Sequence, residues 1–449
     1  MVRALNTNSI DAAFEERTYR KVSRRILPFL FLCYIFAYID RVNVSFAKLQ
    51  MQGDLGISEA VYGTAAGIFF IGYFFFEIPC NVAMQKIGAR YWLGPIMIVW
   101  GTVSACTMLV KSGTGFYAVR FLLGIVESGF FPGVILYLTF WYPSRYRARM
   151  VATFMTAIPL SGVIGGPISG RILEKMSHAG GLRGWQWLYL LEALPSILAG
   201  LATFYFLPNG PRDAKWLSAE ERELVASRLE EEDRRKRASA EAKHSLGDAF
   251  RSGKVWALCF VYFGFTMGNY GLTFFLPQMI KDTLTANPFY IGLLTMIPWG
   301  AAAVSMVLVG RHSDQTGERC WHVAIAGMIG ALAFAASALP GLAGIPAFVA
   351  LTIACAGIAA AYTTFWALPS AFVTGTAASA AIAWINSVGN LGGYFGPSLT
   401  GKIRELTQSS TLALFTLSAG CLMSVALTII FFRKQSEQGL RADVASSSR

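Results

Sequence analysis

Charge is scarce in this 449-residue chain: 14% of its residues are Asp, Glu, Lys or Arg, against 54% that are apolar. That ratio excludes a soluble globule, which has no means of hiding so much hydrocarbon while showing water so few charges. Histidine is scarce, with His178, His244, His312 and His322 at loops or helix ends and no i,i+4 pair. The seven cysteines include no C-x-x-C; six (33, 80, 106, 259, 355, 421) lie in apolar runs and Cys320 at a helix start. They read as small packing residues, so no disulfide, metal or other cofactor is expected. Paired acids beside a donor-binding loop are missing as well, which removes the constellation a membrane-embedded enzyme needs.

What the chain has instead is long apolar runs, each with the roughly 20 residues that cross a bilayer. They fall near 26–49, 59–84, 92–111, 114–140, 150–173 and 185–207, then near 254–280, 289–311, 320–340, 345–368, 375–403 and 411–432. The reading is an all-α membrane protein of twelve transmembrane helices in two six-helix bundles, 26–207 and 252–433. A basic N-terminal segment (1–25) precedes them; it is too polar, and the first span too long, for a cleaved signal peptide. A charged linker (208–251) joins the bundles and a tail (434–449) follows. The net charge of +12 does not point to nucleic acid, because basic residues gather in alternate loops: Arg17–Arg25, Lys86–Arg90, Arg145–Arg149, the linker, Arg311–Arg319 and Arg433–Lys434. By the positive-inside rule those loops, the linker and both termini are expected in the cytoplasm of a cell whose inner membrane holds the chain.

The two bundles repeat one another. Asn81-x3-Gln85-x2-Gly88-x-Arg90 after the second span parallels Gly310-x3-Asp314-x2-Gly317-x-Arg319 after the eighth, and Gly88 lies 229 residues before Gly317. Gly166-Pro167 in span five parallels Gly396-Pro397 in span eleven at 230. A duplicated six-span unit is a common plan for secondary transporters, with the passenger held between the halves. A tight turn explains the loop glycines and arginines; a gating contact that breaks and reforms is the sharper reading. In the Gly-Pro helices, small residues permit close helix approach and proline bends the axis.

Asp40 and Arg41 in the first span, and Arg120 and Glu127 in the fourth, are ionisable residues at a depth where charge is costly. Arg120 and Glu127 are seven residues apart and share a helix face. Their counterparts 229 residues on are Asn269, Tyr270, Val349 and Ala356, so charge recognition belongs mainly to the first half. Two readings stand: a static network in which the four satisfy one another, and a switch in which protonation of Asp40 or Glu127 frees an arginine for an anion. Arginine suits a carboxylate because its planar fork donates two parallel hydrogen bonds. Arg41 is the preferred ligand, and Arg120 mainly holds the others.

The loop pattern G-x-x-x-D-x-x-G-x-R resembles the signature of the major facilitator superfamily. The segments 34–43, with Tyr38, Asp40 and Arg41, 120–129, with Arg120 and Glu127, and 386–393 resemble its anion:cation symporter family, most of all bacterial tartrate, phthalate and hydroxyphenylacetate permeases, with galactonate permeases further off. The resemblance implies that Asp40 and Glu127 handle protons and that Arg41 binds a substrate carboxylate. It also implies that Tyr38, Tyr73, Thr363, Trp366 and Asn386 line the cavity; Asn390, four residues from Asn386 in an apolar helix, and Asn269, the repeat counterpart of Asp40, are further candidate substrate contacts. Where sugar-acid members carry a glutamine in span five, this chain has the apolar stretch Ala157–Pro159, which favours a shorter or more apolar anion, aromatic acids included. The expectation is a monomeric, proton-coupled importer of a small organic carboxylate; an anion exchanger or exporter is the alternative, and a transporter-like sensor a remote one.

Overall fold

The computed structural model describes residues 2–239, 252–339, 341–372 and 377–447. The end of the linker (240–251, with His244), the start of the eleventh expected span, the side chains of Asn81 and Gln85, and those of the tail from 434 lie outside the described residues. Among the described residues every regular element is a helix. The first half comprises α1 (Val2–Leu55), α2 (Glu59–Ile87), α3 (Ala89–Cys106), α4 (Gly113–Glu127), α5 (Phe130–Thr139), α6 (Ser144–Met155), α7 (Ala157–Lys175) and α8 (Gly184–Phe206). The linker holds α9 (Ala219–Ser239). The second half comprises α10 (Gly253–Thr283), α11 (Pro288–Thr316), α12 (Cys320–Ser337), α13 (Ile345–Phe365), α14 (Ala367–Phe372), α15 (Ala377–Asn390), α16 (Gly392–Thr407) and α17 (Thr411–Ser447).

Among the described residues eleven segments are long and apolar enough to cross a membrane, with α4–α5 and α6–α7 each making one of them. The run expected as a single span at 375–403 is covered by α15 and α16, which meet at Leu391, itself in helical conformation (φ −60°, ψ −24°). Gly389, Gly392 and Gly393 surround that junction, and glycine weakens helix continuity. The first helix departs from expectation: α1 runs unbroken through the polar residues before 26.

Helix starts follow local chemistry. Ser58 accepts a hydrogen bond from the Val61 amide at the head of α2, and Asn287, followed by Pro288, caps α11. In the linker, Ser218 and Glu221 form a reciprocal capping box at the start of α9. That helix docks on the first half: Lys21 reaches Glu221 at 2.6 Å and Arg228 reaches Glu15 at 2.9 Å. Trp216 stacks on Trp141 nearby.

At the end opposite the linker the two halves are pressed together along two symmetry-related pairs, α2 with α16 and α7 with α11. The Gly-Pro motifs supply these contacts. A methyl group on Gly166 would run into Thr295 and the Gly292 carbonyl, and one on Gly401 into the Glu59 carbonyl, so backbone meets backbone as small residues allow. Polar groups complete the seal: Lys48 pairs with Glu59 at 2.8 Å, and Arg404 reaches both Glu59 (3.4 Å) and Asp282 (3.0 Å). On the other pair, Asn287 donates to Glu174 at 3.2 Å.

Candidate functional site

Where α1, α4 and α10 meet, Arg41 is held by Glu127. Its Nε and one terminal nitrogen both lie 2.7 Å from Glu127 Oε2. The carboxylate is fully buried and its Oε1 has no partner among the described residues. Glu127 is the last residue of α4, and Ser128 and Gly129 carry the chain on into α5. The remaining Arg41 nitrogen reaches the Tyr270 hydroxyl at 3.5 Å. Tyr270 is the residue that the 229-residue repeat aligns with Arg41, so the contact crosses between the halves at equivalent positions.

Rings enclose this pair. The Arg41 guanidinium lies 5.8 Å from the Tyr38 ring, 5.2 Å from Phe69 and 5.8 Å from Tyr73, a setting that stabilises a cation through ring quadrupoles. Tyr38 meets Trp299 of the second half edge-on, with centroids 6.1 Å apart. Beyond Tyr270, the second half contributes Tyr262 and Tyr362, whose hydroxyls share a 2.6 Å hydrogen bond, and Trp366 edge-on to Tyr262.

The expected four-residue network is divided. Asp40 pairs with no arginine; it points into the first half, accepting from Trp100 Nε1 and Ser104 Oγ, each at 3.1 Å, and from Ser196. Adjacent helical residues project about 100° apart, so Asp40 and Arg41 face different neighbours. Arg120 is buried, donates to the Ala66 carbonyl at 3.4 Å and lies over the Phe69 and Phe274 rings. Its contribution to Arg41 and Glu127 is the shared Phe69 face, not an ion pair.

The amides and hydroxyls expected around the cavity have the following partners. Asn386 donates to Glu77 Oε1 at 2.7 Å, and Ser387 to its Oε2 at 3.2 Å. This joins α2 to α15 across the halves. Thr363 bonds its own helix at Ala359. Asn390 is buried, and Asn269 is half-buried one residue before Tyr270. Glu77 and Glu192 were missed by the sequence reading, although each is a charge inside an apolar run, the signal that exposed Asp40. Glu192 accepts from Ser169 at 2.6 Å.

In the two loop motifs, Gly88 and Gly317 have φ of 90° and 68°, the left-handed region that glycine occupies at least cost. Arg90 donates to the Phe204 carbonyl, and Arg319 pairs with Asp314 at 2.5 Å. Both arginines thus tie loops within their own half.

Two helical halves, sealed at one end and meeting around a buried ion pair, define a multi-pass membrane transporter. The chain belongs to the major facilitator superfamily, whose model matches residues 30–397. It is 46% identical over 412 residues to the "Putative metabolite transport protein NicT" of Pseudomonas putida, covering 92% of this chain and 93% of that one. It is 45% identical over 431 residues to a "Putative tartrate transporter" of Agrobacterium vitis, covering 95% and 93%. Among solved structures, an inward-facing, occupied bacterial homologue of the human lysosomal transporter Spinster superposes with a TM-score of 0.73. That match has 16% identity over 91% of this chain and 96% of the other. Fold and relatives are those of transporters, not of enzymes.

Proposed function

We propose that the chain imports a small organic carboxylate together with protons by alternating access. The observation that carries this reading is the Arg41–Glu127 pair, buried and in contact with Tyr270 across the halves. Protonating Glu127 releases the guanidinium, whose fork then receives the substrate carboxylate. Asp40 serves as a second proton-handling carboxylate on a neighbouring face of α1. The three rings around Arg41 favour a flat or short anion over a long polyol acid, and the name of the Agrobacterium vitis relative supports a short dicarboxylate. With both termini in the cytoplasm of a cell carrying this chain in its inner membrane, the sealed end faces outward. Movement of the halves about the central pair then opens that seal, with the Asp314–Arg319 and Arg90 loop contacts and the Glu77–Asn386 bridge governing the other end.

The test is uptake into proteoliposomes with an imposed pH gradient, using tartrate, galactonate, phthalate and hydroxyphenylacetate, with and without sodium. Accumulation driven by an inward proton gradient is expected for at least one of them. Sodium-dependent uptake that ignores the pH gradient rules the coupling out.

A further inference from the structure

The first span presents a second polar face, turned from Arg41 toward α8. Asp40 and Asn43 lie one turn apart on α1, and Glu192 and Ser196 one turn apart on α8. The helices are antiparallel, so Asp40 meets Ser196 while Asn43 lies against Glu192. Asp40 has three donors, Trp100, Ser104 and Ser196. Glu192 has Ser169 on Oε1; its Oε2 lies against the Asn43 carboxamide, with no well-formed hydrogen bond to it or to any other described residue. Asn43 is 1% exposed, Asp40 0% and Glu192 5%.

The charged and titratable groups facing Glu192 are Asp40 on α1 and Tyr189 on its own helix; α7 brings the neutral Ser169. No lysine, arginine or histidine among the described residues pairs with either carboxylate. Two buried carboxylates without a counter-cation do not both remain ionised. With three donors against one, Asp40 is the better placed of the two to carry the negative charge. One of those three donors is an indole N–H, which has no lone pair for a metal ion, so a proton suits the pair better than a metal. A proton on Glu192 Oε2, offered to the Asn43 carboxamide oxygen, gives both idle acceptors a partner.

We propose that Asp40 and Glu192 form a two-carboxylate proton site buried between α1, α7 and α8, with the proton on Glu192 Oε2 and the negative charge on Asp40. As a store for the coupling proton it rests on the symport reading above; its occupancy does not.

Infrared difference spectroscopy on the full-length protein in lipid, without substrate, tests the occupancy. At neutral pH the wild type is expected to show a protonated-carboxyl C=O stretch that Glu192→Gln removes and Glu127→Gln retains. Ser169→Ala deletes the donor that favours the ionised form, and is expected to move the loss of this stretch to higher pH by roughly one unit. A wild type without the stretch, a stretch that survives Glu192→Gln, or an unmoved midpoint in Ser169→Ala overturns the proposal. Because no substrate is present, failure of pH-driven uptake would remove the symport reading and leave this result standing.

Discussion

In the first half Asp40, Arg41, Arg120, Glu127 and Glu192 are all buried, whereas the positions 229 residues further on hold Asn269, Tyr270, Val349, Ala356 and Cys421. The backbone plan does not share this inequality. Each half offers a Gly-Pro helix to the second helix of the other, and each seal carries its own glutamate, asparagine or arginine contacts. The difference teaches that duplication fixed the movement while divergence fixed the chemistry. One half carries the buried charges, with their desolvation cost, and the other supplies a ring and amide surface against which they work.

The steepest way to break this comparison is to discharge the first half. Arg41→Ala is expected to abolish carboxylate binding, with affinity down at least ~100-fold, because the two-pronged donor to the substrate carboxylate is removed, a loss of about 3 kcal/mol. Equilibrium binding by the purified protein reads this, and retained affinity would remove Arg41 from the site.

The seals sharpen the other side of the comparison. Gly166→Val and Gly401→Val should each lower transport about tenfold, to a similar degree, since each places side-chain atoms where the opposite half's backbone lies, an overpacking cost of about 1–3 kcal/mol. Transport assays on both variants decide it; a large effect in one and none in the other would make the seals unequal.

A smaller effect is expected from the second half's ring surface. Tyr270→Phe removes the hydroxyl that Arg41 reaches at 3.5 Å and should weaken substrate binding by about 1 kcal/mol, or ~5-fold.

The smallest change concerns the linker. Burial pushes the Glu221 carboxyl up, but the hydrogen bonds from Lys21 and the Ser218 amide, with the charge of Lys21, outweigh it and hold the group below its ordinary value. A depressed carboxylate stabilises the docked helix above the usual glutamate range and loses that contribution as pH falls through the lowered value. Hydrogen-exchange protection in α9, taken relative to intrinsic exchange at each pH, should therefore fall on acidification, and Glu221→Gln should remove that pH dependence.

Much of the fold was legible because apolar runs of bilayer length are a coarse signal, and the repeat offset was readable from two motifs. Arg41 and Glu127 stood out as charges in hydrocarbon, and the same signal was present at Glu77 and Glu192 but went unread. The partners of Asp40 were not legible. Trp100, Ser104 and Ser196 lie 60, 64 and 156 residues away, and only the rotation and packing of α1, α3 and α8 bring them together. Asn386 shows the same limit: its amide was anticipated in the cavity, yet its carboxylate partner sits 309 residues earlier in the chain.

The central claim is that Glu127, by taking up a proton, decides whether Arg41 is free for substrate. Its most direct measurement compares wild type and Glu127→Gln in the same proteoliposomes, by substrate counterflow and by accumulation under an inward proton gradient. The account predicts that Glu127→Gln keeps counterflow and loses gradient-driven accumulation. Accumulation at the wild-type level by Glu127→Gln would contradict it and leave the Arg41–Glu127 pair as a static structural contact.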